Sequence, residues 1–293
     1  MQLQADYQKL QDVGINVASI SYDSEETVKA FADEHGISFP MLADLGSSVI
    51  EKFDLLNPVP QWGVEDGLDD PELAKAFRTY VSVTGANSLF VGIAFPGTFL
   101  LDSSGVVQER HFEEAYEERN TVSSILLRLG EDIEPVAATI VSTVQLDLTT
   151  YSSNQTIVAG NRFALVMDIQ PKPGMHVYAP GADKYQVVGL TLDSNPHIRV
   201  LPMQYPESES YYFEPFDETV PVYLQAIKLL QEVVLGGDRE SQRALSGQDS
   251  LTISGSFEYQ ACDEAICYLP TSIPVSWTLQ LGDLVSSRPG RDN

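Results

Sequence analysis

The residues best suited to chemistry are Cys262 and Cys267, the only two cysteines in 293 residues. They lie in the stretch Tyr259-Gln260-Ala261-Cys262-Asp263-Glu264-Ala265-Ile266-Cys267-Tyr268-Leu269-Pro270. Four residues separate them, and Asp263, Glu264 and Ala265 among these suit a turn. Upstream, Leu251, Ile253, Phe257 and Tyr259 share one parity, as on a strand. Downstream, Val275, Trp277, Leu279 and Leu281 alternate again. Two strands joined by a tight connection would set the cysteines opposite each other, at a span a disulfide can bridge. By the chain-entropy argument so small a loop stabilises by only about 2 kcal/mol, and a chain this long builds its core without that help. The pair is therefore a weak staple and a candidate redox switch. A structural bridge, or two unreacted buried thiols, is the competing reading. Metal binding fits poorly, because two thiolates make half of a structural zinc site at a spacing longer than in most zinc knuckles. No metal and no cofactor is expected.

Positioning this stretch falls to a series of short strands. Candidates are Val141 to Leu148, Gln155 to Ala159, Arg162 to Ile169, Gln186 to Leu192, His197 to Leu201, Val220 to Ile227 and Leu251 to Tyr259. Turn residues sit at Gly160-Asn161, Pro171 to Gly174 and Asn195-Pro196. Many short strands at such spacing argue for a β-sandwich. Gly236 to Ser250 reads as a polar connection. Tyr211-Tyr212-Phe213-Glu214-Pro215-Phe216 forms an aromatic cluster in a loop-like stretch, which packing at a sandwich edge would also explain. His176, beside Tyr178, is either a hydrogen-bonded structural residue or a proton shuttle.

Phe257 to Cys262, followed by Cys267-Tyr268-Leu269-Pro270, resembles the cysteine motif of the N-terminal domain of the thiol:disulfide interchange protein DsbD family. Pro173-Gly174-Met175-His176-Val177-Tyr178 resembles an earlier motif of that domain, and the likeness spans about residues 140 to 282. The resemblance implies an immunoglobulin-like β-sandwich whose cysteines pass electrons by thiol–disulfide exchange. That role falls on Cys262 and Cys267. It also implies an aromatic cap over the pair, for which Tyr212, Phe213 and Phe216 are the candidates. The compartment implied is periplasmic or otherwise extracytoplasmic, although no signal peptide precedes residue 20.

The length suits about two domains, and a 43% hydrophobic share suits globular protein. No apolar run approaches eighteen residues, so no transmembrane helix is expected. The net charge is -25, with 24 acidic against 8 basic residues through Glu134 and 18 against 9 after it. Acidity on both sides repels nucleic acid and anionic membrane, so neither is an expected partner.

From the start, Gln2 to Leu10 reads as a helix, Val17 to Tyr22 as a buried strand, and Ser24-Glu25-Glu26 as the opening of a helix stopped by Gly36. A short strand at Phe39 to Leu42, a helix at Ser47 to Phe53, a hairpin over Phe99 to Phe112 and a closing helix at Thr121 to Leu129 follow. The order indicates α/β with a mixed sheet. Ile20-Ser21-Tyr22-Asp23-Ser24, His35 to Asp44 and Pro96-Gly97-Thr98-Phe99-Leu100-Leu101-Asp102 resemble the alkyl hydroperoxide reductase/thiol-specific antioxidant branch of the thioredoxin-like fold, over about residues 1 to 130. In that family the reactive cysteine starts the helix that here begins near Met1, where a helix N-terminus lowers its pKa. No cysteine occurs in residues 1–261. An incomplete thioredoxin-like fold is expected, either because its catalytic segment lies upstream of Met1 or because the domain is a degenerate scaffold. Pro96 resembles the cis-proline that holds an extended substrate in thioredoxins, with Thr98 beside it; the other reading is an ordinary turn proline next to Gly97.

The expected organisation is a thioredoxin-like domain over 1–134, a DsbD N-terminal-like sandwich over 135–285 and a disordered polar tail over 286–293, with Asn57 to Asp70, including Trp62, as a surface excursion. The leading functional reading is electron transfer: a thiolate of a reduced partner attacks one sulfur, a mixed disulfide forms, and the remaining cysteine resolves it. The partner is a redox protein with a reactive dithiol, the neighbouring thioredoxin-like domain of the intact protein among the candidates. The alternatives are a non-catalytic interaction module with a structural disulfide, or a peroxidase fragment.

Overall fold

The computed structural model describes residues 2–60, 71–84, 91–112, 118–214 and 217–283. Trp62 with most of the expected excursion, Phe216 and the polar tail lie outside the described residues. The chain divides into two compact units, residues 1–116 and 117–284.

The first unit begins with helices α1 (Gln2–Ala5) and α2 (Tyr7–Asp12), where the sequence suggests one helix. Strand β1 (Ser19–Ser21), helix α3 (Glu25–His35), strand β2 (Met41–Ala43) and helix α4 (Ser48–Lys52) follow. Helix α5 (Pro71–Thr84) precedes the hairpin β3 (Gly97–Leu101) and β4 (Val107–Phe112). Ser24 caps α3 by accepting the Thr27 N–H, and Gly36 ends it in the left-handed region at φ 60°. Strands β1 and β2 are parallel, with Ile20 opposite Leu42, as a helical crossover such as α3 permits. The β3–β4 turn closes on Asp102, whose carboxylate accepts the Ser104 and Val106 N–H groups. Asp44 caps α4 in the same manner, accepting from Val49 and Ile50. The α/β character stands, but the described strands form a parallel pair and a separate hairpin rather than one mixed sheet.

The second unit opens with β5 (Arg119–Asn120) and helix α6 (Val122–Arg128). Among the described residues thirteen strands and one helix follow: β6 (Val136–Ser142), β7 (Leu146–Ser152), β8 (Thr156–Ile157), β9 (Asn161–Pro171), β10 (His176–Tyr178), β11 (Gly189–Leu192), β12 (Ile198–Val200), β13 (Glu209–Phe213), β14 (Glu218–Tyr223), β15 (Ile227–Leu235), α7 (Arg239–Leu245), β16 (Ser250–Tyr259), β17 (Ala261–Cys262) and β18 (Thr271–Leu281). One sheet has the order β12-β15-β9-β7-β6, with β5 also pairing β9. A second runs β11-β16-β18-β8, and a third β13-β14-β10-β17. The first two share one apolar core: Phe163, Leu165 and Met167 of β9 and Leu229 and Val233 of β15 lie in it with Ile253, Phe257, Val275 and Trp277 of β16 and β18. Strict alternation along β16 and β18 follows from one face being buried and the other wet.

Two expected strands are redrawn. Val141 to Leu148 is the end of β6, a turn at 143–145 and the start of β7, and Thr143 accepts the Gln145 and Leu146 N–H groups at its hydroxyl there. Val220 to Ile227 is broken at residues 224–226, which separates β14 and β15 into different sheets. Strand β15 is buried on both faces, so its sequence shows no period of two. Helix α6, expected to close the first domain, packs on the outer face of β9 and β15 instead. Leu127 lies with Tyr151, Ala164, Val166 and Leu230. Buried Glu232 of β15 accepts Arg128 Nη1 of α6 at 2.9 Å and Arg162 Nη2 at 2.6 Å.

Candidate functional site

The site is built where the chain leaves one sheet for another. Strand β16 ends with Tyr259 opposite Thr271 of β18. The residues between them do not close a tight turn but reach across to β10, where Val177 pairs with Ala261 and His176 with Cys262. Gln260 fixes this excursion: its side chain accepts the Gln186 N–H at 3.1 Å and donates to the Tyr268 carbonyl at 2.9 Å. The period of two then sorts the side chains. Val177 and Ala261 face the main core, whereas Tyr178 and Cys262 face a separate cluster with Ala182, Val220 and Val222.

Cys262 and Cys267 form a disulfide with Cα atoms 4.1 Å apart. The loop between them is a turn held by acceptors. Asp263 N–H donates to the Ile266 carbonyl at 3.0 Å, and Tyr268 N–H donates to the Ala261 carbonyl at 2.9 Å. The Asp263 carboxylate accepts the Ala265 N–H, the Ile266 N–H and the Tyr268 hydroxyl at 2.7 to 3.0 Å. Hydrogen bonds from the Ala265 and Ile266 backbone hold its pKa below the usual value. Cys262 is fully buried, while Cys267 is partly exposed next to the exposed Ile266 and Leu269.

The Tyr178 hydroxyl lies 2.9 Å from Cys262 Sγ and 3.3 Å from Cys267 Sγ. A disulfide carries no S–H, so the phenol donates. Burial drives the Tyr178 pKa upward, which keeps that proton in place. Tyr185 stacks on Tyr178 with centroids 3.9 Å apart and planes 6° apart. The Tyr185 hydroxyl donates to Glu218, which also takes Lys184 Nζ at 2.9 Å. His176, 1% exposed, packs against Tyr211 at 4.6 Å and Phe213 at 6.2 Å between centroids. Burial lowers its pKa, and the Asp263 charge opposes that shift. The ring is therefore neutral at neutral pH.

Of the cap candidates, Phe213 is 1% exposed against His176, whereas Tyr212 is 56% exposed on the opposite face of β13 and donates to Asp217. Phe216 lies outside the described residues. Pro96 and Thr98 stand at the start of β3 in the first unit, with Thr98 exposed. The Pro96 peptide bond is trans, which corrects the cis expectation. Pro96 leads directly into β3, beside Gly97. Tyr178, Tyr185 and Tyr211 were not among the expected site residues. The spacings His176-x-Tyr178 and Tyr211-x-Phe213 carry the signal for two of them, since residues two apart share a strand face. Tyr185, in a loop, has no such signal.

Residues 1–110 match the family model described as AhpC/TSA family, and residues 148–276 match the one described as Thiol:disulfide interchange protein DsbD, N-terminal. Both resemblances read from the sequence stand. Alkyl hydroperoxide reductase C of Staphylococcus saprophyticus subsp. saprophyticus and that of Staphylococcus haemolyticus are each 31% identical over 110 residues. The match takes in 36% of this chain, and the chain spans 42% of the length of either relative. Among solved structures, the reduced DsbD N-terminal domain of Neisseria meningitidis is 13% identical with a TM-score of 0.26, covering 40% of this chain and 81% of that one. The N-terminal periplasmic domain of ScsB from Proteus mirabilis is 10% identical with a TM-score of 0.31, covering 48% and 49%.

Proposed function

We propose that the protein is a thiol–disulfide electron carrier working through Cys262 and Cys267. The observation that carries this reading is the asymmetry of the disulfide: one sulfur is buried, the other is reachable, and one tyrosine hydroxyl lies within hydrogen-bond distance of both. A partner thiolate attacks Cys267 Sγ, and a partner–Cys267 disulfide forms as the Cys262–Cys267 bond breaks. Cys262 leaves as a thiolate, stabilised by the Tyr178 hydroxyl. A second partner thiolate then attacks the partner sulfur of the mixed disulfide. Cys267 is released, the partner ends oxidised, and two electrons have moved to this chain with protons taken from solvent. The chain holds no other cysteine, so the reducing thiols come from outside residues 1–293.

The family matches support this chemistry, since one matched family is described as a thiol:disulfide interchange protein. A redox protein with a reactive dithiol is the partner we assign, with Pro96 and Thr98 kept as substrate contacts of the first unit and Phe213 as part of the cover over the site. The compartment we assign is extracytoplasmic, where disulfides persist; the ScsB relative is described as periplasmic. No helix among the described residues is long and apolar enough to cross a membrane.

The test is the reduction potential of the pair, equilibrated against glutathione or thioredoxin. A value within roughly -120 to -270 mV, where exchange proteins work, is expected. A value below about -300 mV, or thiols that never oxidise, would make the bond structural and end the proposal.

A further inference from the structure

His176 is the buried polar group at this site that the exchange chemistry leaves unused. Its Nε2 is buried and has no hydrogen-bond partner among the described residues. It stands directly opposite Cys262 in the antiparallel register of β10 and β17. Opposed residues in such a pair present their side chains on one face, with Cβ atoms about 4.5–5.5 Å apart. The groups around the ring are Tyr178 of its own strand, Tyr211 and Phe213 of β13, and Cys262 and Asp263 of the β17 turn. The aromatic rings of Phe213 and Tyr211 offer it packing. The Cys262 sulfur, locked in the disulfide, has no proton to give.

We propose that His176 is a redox-linked partner of Cys262: its buried Nε2 goes without a hydrogen bond while the disulfide is closed and gains one from the Cys262 thiol once the disulfide is reduced, so the ring biases the pair toward the dithiol. The physical basis is the cost of a buried polar group left unpaired, which is larger than the net gain of an ordinary hydrogen bond. That cost falls on the oxidised protein alone. The linkage belongs to the tautomer whose Nε2 carries no proton and accepts from the thiol, because a protonated Nε2 would meet a sulfur acceptor in both redox states. Tyr178 does not have this effect to the same degree, because its hydroxyl already has a sulfur acceptor in the closed form.

The inference rests on the exchange reading above, and the experiment separates the two. The full chain is equilibrated with reduced and oxidised glutathione. Two glutathione thiols supply two electrons and two protons; their own S–S bond forms as the Cys262–Cys267 bond breaks and each cysteine becomes a thiol. Wild type, His176→Phe and His176→Gln are compared. Phenylalanine fills the same aromatic pocket without a polar atom. Glutamine keeps a polar atom near the position of Nε2. His176→Phe is expected to lower the equilibrium constant for reduction by about tenfold, equivalent to about 30 mV, and His176→Gln to restore at least half of that shift on a logarithmic scale. A folded His176→Phe within twofold of wild type overturns the role of His176. A wild-type chain that glutathione cannot reduce ends the exchange reading instead, and the three-way comparison is then read against dithiothreitol. Wild-type protein provides a check free of any folding defect. With 15N-labelled histidine, the Nε2 resonance of His176 is expected to move on reduction, and an unmoved resonance overturns the proposal.

Discussion

At the scale of single residues, the chemistry turns on groups that set how easily a sulfur leaves. Tyr178 is placed by β10 so that one hydroxyl serves both sulfurs. A hydrogen bond to a charged group contributes about 1.5–3 kcal/mol. Tyr178→Phe is therefore expected to slow reduction by a small dithiol about tenfold to a hundredfold, measured by stopped-flow quenching, while leaving the fold intact. Asp263 acts on the loop rather than on sulfur. Its folded pKa lies below the ordinary 3.8 because backbone N–H groups of Ala265 and Ile266 favour the charged form. A depressed carboxylate pKa stabilises the fold above the unfolded value, and that contribution is lost as pH falls through the folded value. The urea midpoint of wild type should therefore exceed that of Asp263→Ala by a constant margin above about pH 5 and by a shrinking margin below about pH 4. A margin that grows on acidification would refute this account of the loop.

At the scale of elements, strand parity decides which aromatic residues belong to the site. Tyr211 and Phe213 face His176, and Tyr212, between them, faces solvent. Phe213→Ala is expected to cost about 3–5 kcal/mol in chemical denaturation. Tyr212→Ala should change stability by less than about 1 kcal/mol, since it is exposed and its hydroxyl bonds only to a surface carboxylate. Similar losses from both would mean that β13 does not run in this register. Tyr211 to Phe213, expected in a loop-like stretch, lie on strand β13, because consecutive residues in a loop and in a strand look alike until the pairing of β13 with β14 is known.

At the scale of the whole molecule, the ownership of helix α6 sets how the chain divides. Leu127 and Arg128 belong with β9 and β15, in the unit that runs from residue 117, ahead of the boundary expected after the helix at residue 134. We expect a fragment beginning at residue 117 to unfold in one cooperative transition with the reduction potential of the full chain. A fragment beginning at residue 135 uncovers Ala164, Val166 and Leu230 and leaves Glu232 without Arg128. It should be less stable by about 3–5 kcal/mol, because one partner of a buried ion pair is gone. Equal urea midpoints for the two fragments would show that α6 adds nothing to the sandwich.

The sequence by itself determined the cysteine pair, the α/β-then-β order, and the strands whose two faces differ. Leu251 to Tyr259 and Val275 to Leu281 alternate because one side is buried and the other is wet, and that contrast is written into residue types. Where both faces are covered the contrast vanishes, so β15 left no period of two to read. Helix α6 shows an apolar stripe whichever sheet it covers, and only packing chose β9 and β15. Tertiary structure alone decided that the cysteines cross to β10 rather than cap the β16–β18 hairpin. The reason is that Gln260 bonds to Gln186 and to Tyr268, residues distant or unremarkable in sequence. That crossing is what brings Tyr178 to the sulfur of Cys262 and sets His176 opposite Cys262 in register, both more than eighty residues away along the chain.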